Sequence, residues 1–169
     1  MEQEHTQEQE QPFERALTDT ACTQLQEDFR NFLEHFTLPE DDAISQLSQG
    51  TAEQVYIARA QEMDQMDRTS MDVDFAHLST WNSDLAQKTQ DYHFRLEPYL
   101  RKAVQNFMSH HQREFVTSPE GVPREFWVSF YNLPTAIKLR DLKTEEIGKL
   151  KAFVGTCTRT SEVCWLCSL

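Results

Sequence analysis

Residues 18–38, TDTACTQLQEDFRNFLEHFTL, decide the fold class. Cys22, Leu25, Phe29, Phe32, Leu33 and Phe36 fall at helical spacings on one stripe, with Gln26, Glu27, Arg30 and Glu34 opposite them. A strand would scatter those apolar groups over both of its faces, so the stretch predicts an amphipathic helix. The helix is expected to end before Pro39, because a proline pushes the preceding residue out of helical geometry.

Downstream, Asn82 and Ser83 are good N-cap residues for a second stripe, Leu85, Thr89, Tyr92 and Leu96. Tyr99, Leu100, Ala103, Phe107 and Met108 make a third, with Pro98 expected at the first turn of a new helix rather than inside one. Residues 53–68 predict a weaker helix carrying Val55, Ile57, Met63 and Met66, and Met71 to Leu78 alternates apolar and polar through Phe75, as a brief strand would. Residues 18–112 therefore read as a helical lobe, preceded by a Gln- and Glu-rich arm, 1–17, that is too polar to offset the entropy of ordering.

Beyond the lobe the period changes. Residues 113–125 contain two prolines and a glycine and read as a linker. From 126 to 163 the pattern is strand-like: Phe126 to Tyr131 is a compact aromatic run, and Leu150, Ala152, Val154, Thr156 and Thr158 alternate with Lys151, Phe153, Gly155, Cys157 and Arg159. A short helical piece is expected around Lys143 to Ile147.

The net charge of −12 belongs to the front half: residues 1–80 hold eighteen acidic against four basic residues, and 81–169 hold ten against twelve. An acidic surface repels phosphate, so any nucleic-acid contact is expected from the back half. There Lys138, Arg140, Lys143, Lys149, Lys151 and Arg159 interleave with apolar residues and could face a phosphate backbone; an ordinary solvated face balanced by Asp141, Glu145 and Glu146 explains them equally well. No run of about 18 apolar residues exists to span a membrane, and the first 25 residues have no apolar core of a secretory signal, so reduced thiols in an intracellular protein are expected.

Chemistry is sparse. The four glycines, Gly50, Gly121, Gly148 and Gly155, give no pair with the spacing that wraps backbone N–H groups around a nucleotide's phosphates. Cys164 and Cys167 have the spacing of half a zinc site, but only Cys22 and Cys157 remain to complete it, so no metal is expected. His110 and His111 close the third stripe, where a positive charge would suit the helix dipole, and His77 beside Phe75 and Leu78 reads as a packed histidine. No catalytic residue is assigned.

Several segments resemble the minichromosome-maintenance (MCM) family, and its subunit-six branch in particular. They are Val128 to Pro134, Lys138 to Leu142, Glu146 to Leu150 and Gly155 to Val163, with Val73 to Leu78 and Arg95 to Arg101 upstream. The resemblance implies a mainly α protein: a helical bundle lobe followed by the first strands of an incomplete OB-fold barrel, in a subunit of a nuclear, heterohexameric replicative helicase that encircles DNA. Its partners would be paralogous subunits and DNA, with no membrane, and Lys149, Lys151 and Arg159 are the DNA-contact candidates. The family's ATP, magnesium and zinc would lie in domains beyond these residues. After Val163 the family pattern stops, and 164–169, CWLCSL, reads as an aberrant tail, so helicase activity is not carried over. Two rival readings are a free-standing acidic module whose helices 19–36 and 83–111 bind another protein, and a truncated product without function.

Overall fold

A computed structural model describes residues 19–38 and 54–159. The arm at 1–17 and the tail at 164–169 lie outside the described residues. Helix α1 spans Asp19–His35 and buries Cys22, Leu25, Phe29, Phe32 and Leu33, with Phe36 just beyond its end also in the core. The expected stripe is thus the buried one, with one correction: Gln26, next to Leu25 and expected on the opposite face, is buried as well. On the outer face Arg30 sits between Glu27 at 3.4 Å and Glu34 at 3.5 Å, one turn to either side.

Helix α2, Val55–Gln65, buries Tyr56, Ala60 and Met63. The expected stripe is corrected here: Met66 is 59% exposed, and Tyr56 takes the inward position expected of Val55 and Ile57. A phenol with a buried ring and a partnered hydroxyl behaves as a core residue, which simple apolar counting overlooks.

Strand β1, Ser70–Asp74, buries Met71 and Val73 and stops earlier than its alternation predicts. The Asp74 carboxylate accepts from the Ala76 N–H at 2.8 Å, and this cap starts helix α3, Phe75–Trp81, which a period-two reading misses. Asn82 then caps helix α4, Ser83–Asp91, accepting from the N–H groups of Asp84 and Leu85 at 3.0 and 3.1 Å.

Helix α5, His93–His111, runs unbroken through Pro98, against expectation. A proline removes the hydrogen bond to the carbonyl four residues back, here that of Phe94, and Phe94 and Pro98 both lie on the exposed face, where water can serve that carbonyl. Leu96, Leu100, Ala103, Val104, Phe107 and Met108 line the opposite face and pack chiefly on α1.

After α5 the chain turns back through an antiparallel bridge between Thr117 and Pro123, and buries Phe115 and Phe126 with ring centroids 5.8 Å apart. Strand β2, Trp127–Tyr131, then pairs in parallel with β1, from Ser70 opposite Trp127 to Asp74 opposite Tyr131. A parallel pair needs a long crossover, and α3 to α5 supply it. Val128 and Phe130 point inward, Phe130 lying 6.2 Å from Phe29 and from Phe75, so Phe126, Val128 and Phe130 of the run belong to the same core as the helices while Trp127 and Tyr131 face outward.

The last described part is thinner. Strands β3, Ala136–Lys138, and β4, Ala152–Val154, form a separate two-stranded parallel sheet, joined through tight turns at Leu139–Asp141 and Thr144–Glu146. Leu139, Ile147, Phe153 and Val154 are all more than half exposed. The structure is mainly helical, with short parallel strands; a barrel is not among its described features.

Candidate functional site

The three basic residues singled out in the sequence fall into two places. Lys149 and Lys151 flank Leu150 immediately before β4, and both reach Glu146 at the end of the preceding turn: Lys151 Nζ lies 2.6 Å from Glu146 Oε2, and Lys149 Nζ 4.0 Å. The hydrogen bond from Lys151 and the charges of the neighbouring lysines hold the Glu146 carboxyl below its usual range. A phosphate approaching this pair would therefore compete with a carboxylate already in place. Arg159 stands apart, exposed in the extended run beyond β4, and its side chain makes no hydrogen bond or ion pair among the described residues.

What fixes the lysine pair is backbone. Gly148 adopts φ +83°, its carbonyl accepts from the Phe94 N–H at 2.9 Å, and the Leu150 N–H donates to the Gln90 carbonyl at 2.8 Å. The turn is thereby held against the junction of α4 and α5.

A second feature left no mark in the sequence. Between α2 and the outer face of β1 and β2 lies a cleft of about 450 Å³ lined by Arg59, Glu62, Arg68, Asp72, Ser129 and Tyr131 among others. Arg59 spans it, donating to the Asp72 carbonyl and, at 2.6 Å, to the Tyr131 hydroxyl, with its guanidinium 5.5 Å from the rings of Tyr56 and Tyr131. Arg68 pairs with the Asp72 carboxylate at 3.0 Å. Two guanidiniums and two carboxylates leave the lining without net charge, and the two bonds of Arg59 reach partners 13 and 72 residues along the chain, too far apart for any local motif. The arrangement braces α2 against the sheet and holds no nucleophile beside a base.

His77 and His111 pack against aromatic rings. His77 stacks on Phe36 at 4.7 Å and shares a 3.2 Å hydrogen bond with the Tyr56 hydroxyl, whose proton is held more tightly because the ring is buried. His111 lies 4.6 Å from the Phe107 ring, and burial, then the charge of His110, lowers its affinity for a proton. Burial and the neighbouring His110 thus act against the charge that the helix dipole would favour at this end. Among the described residues no group of His, Cys, Asp or Glu could hold a metal ion, and no helix is long and apolar enough to cross a membrane. Cys164 and Cys167 lie outside the described residues.

Comparison with known proteins bears on the same residues. The model of the MCM N-terminal domain matches residues 26–132. The DNA replication licensing factor MCM6 of Oryza sativa subsp. indica is 34% identical over 151 residues, covering 87% of this chain and 17% of that protein. The MCM6 of Arabidopsis thaliana is 35% identical over 147 residues, with 87% and 16% covered, and that of Schizosaccharomyces pombe 29% identical over 162 residues, with 87% and 18% covered. The chain thus spans less than a fifth of these relatives' length.

Proposed function

The chain belongs to the minichromosome-maintenance family, as an N-terminal region most like MCM6, and on that footing we propose that it acts in DNA replication by joining paralogous subunits in a nuclear heterohexameric ring and contacting DNA. The observation that carries this reading is the family match over residues 26–132, which runs from within α1 to just past β2. In this reading residues 126–163 hold the start of an OB-fold barrel, with β2 shared with the helical core and β3 and β4 beyond it. Exposed Leu139, Phe153 and Val154 fit barrel strands that lack an opposite wall, whereas the parallel pairing of β3 with β4 departs from the antiparallel order of such a barrel. ATP and magnesium have no phosphate-cradling loop here, so nucleotide hydrolysis, and the family's zinc, are assigned to other parts of the assembly.

DNA contact is assigned to Lys149, Lys151 and Arg159. The pairing of both lysines with one carboxylate fits exchange of Glu146 for a phosphate, with release of counterions. The rival reading as a free-standing interaction module loses its basis, because the apolar faces of helices 19–36 and 83–111 are turned on each other in the core.

The test is co-purification with paralogous subunits, combined with fluorescence anisotropy on a DNA oligonucleotide across a salt series. Replacing Lys149 and Lys151 together by Ala should weaken binding and reduce the slope of log K against log salt by about one for each phosphate the lysines engage. Unchanged affinity and slope would remove these lysines from the DNA interface, and failure to capture any paralogous subunit would remove the ring.

A further inference from the structure

Helix α5 begins without help from its own N-cap residue, since the Tyr92 side chain makes no capping hydrogen bond, and the N–H groups of a first helical turn need acceptors. One acceptor comes from far along the chain: the Gly148 carbonyl takes the Phe94 N–H at 2.9 Å. Two residues later the direction reverses, and the Leu150 N–H donates to the Gln90 carbonyl in the last turn of α4 at 2.8 Å. Residues 148–150 therefore bridge the α4–α5 junction through one donated and one accepted backbone bond, with Leu150 partly buried against the core as the only apolar anchor among them.

Gly148 is needed for its backbone. A Cβ at this position would meet the Phe94 Cβ at 3.6 Å, an ordinary contact, but φ of +83° is a conformation that L side chains adopt at a penalty. β3, which precedes this turn, and β4, which follows it, pair only with each other.

We propose that residues 148–150 are a latch that positions the β3–β4 unit, and with it Lys149 and Lys151, on the helical lobe, and that this latch opens as a unit of its own while the lobe stays folded. Two hydrogen bonds and one leucine make a far smaller cooperative unit than a core built on Phe29, Phe32, Leu33, Leu100 and Phe107, so the latch lies at the low end of the ladder of opening free energies. The inference rests on backbone geometry and stands whether or not the two lysines meet DNA.

The test is amide hydrogen exchange by NMR on the full chain, with residual dipolar couplings to follow the orientation of β4 relative to α5. In Gly148→Ala the Phe94 and Leu150 amides should exchange on the order of tenfold faster, the β4 couplings should shrink, and the amides of Phe29 and Phe107 should keep their rates. Gly148→Asn should fall between Ala and Gly, because asparagine tolerates the left-handed region; if Gly148→Ala does not fold, the Asn variant decides by the same amides. Gly121→Ala supplies the control, since Gly121 has φ +81° with nothing near its missing Cβ, and it should leave Phe94 and Leu150 untouched. Unchanged Phe94 and Leu150 rates in the Gly148 variants would overturn the latch. So would equal acceleration in Gly121→Ala, or core amides that accelerate in step with the latch.

Discussion

Strands β2 and β4 look alike in sequence and differ in what they do. Each is short, each pairs in parallel with a single partner, and each carries large apolar side chains. Yet Val128 and Phe130 of β2 pack into the helical core, whereas Phe153 and Val154 of β4 stand 61% and 64% exposed. The difference lies in the neighbours: α1, α3 and α5 form a wall for β2, and the described residues form none for β4. Strand pairing by itself buries little apolar surface, and a two-stranded sheet depends on what covers its faces.

The sharpest way to break this contrast is to truncate one aromatic in each region. Phe107→Ala, at a fully buried site on α5, should destabilise the protein by about 3 to 5 kcal/mol in urea denaturation, through lost transfer free energy and the cavity left behind. Phe153→Ala should fall within about 0.5 kcal/mol of the parent. Comparable losses for the two would mean that β4 is packed in solution and that the contrast is wrong.

A smaller effect sharpens the picture of how the lobe is punctuated. Asn82→Ala removes the acceptor for two N–H groups at the start of α4 and should cost about 1 kcal/mol by the same measurement. An unchanged urea midpoint would place the α3–α4 break under the control of packing alone.

The smallest effects separate the regions by pH. Burial lowers the proton affinity of His93, against a weaker opposing pull from Glu97, and its ring sits 5.9 Å from Phe130 beneath β2. The unfolded chain then binds the extra proton more readily. The stability contributed by neutral His93 is complete above about pH 6.5 and is lost as pH falls through the lower folded value. Glu146 works in the same direction at lower pH: its folded pKa is depressed, so its contribution is present above the ordinary carboxylate range and lost as pH falls through the depressed value. Urea midpoints from pH 7.5 to 5.5 should decline for the parent and less for His93→Gln. The Glu146 carboxyl, followed by NMR, should titrate higher in Lys151→Met. Parallel midpoints in the first comparison, or an unmoved carboxyl in the second, would detach these groups from the regions assigned to them.

The sequence by itself determined the helical lobe. The stripe from Cys22 to Phe36, the stripe from Leu100 to Met108 and the cap at Asn82 are all local signals, in which spacing of a few residues states both the element and its buried face. Its family segments, around Val128 to Pro134 and Gly155 to Val163, are equally legible because they are contiguous. Only the tertiary structure decided what distant residues do together. It set the parallel pairing of β1 with β2, the cleft that Arg59 spans to reach Tyr131, and the clasp of Gly148 on Phe94. It also overrode two local rules, carrying α5 through Pro98 on its solvent face and starting α3 at Phe75 on the Asp74 cap. Helical periodicity is written within a turn or two of chain, whereas pairing and docking depend on which surfaces the finished core leaves adjacent, and no window of sequence contains both partners.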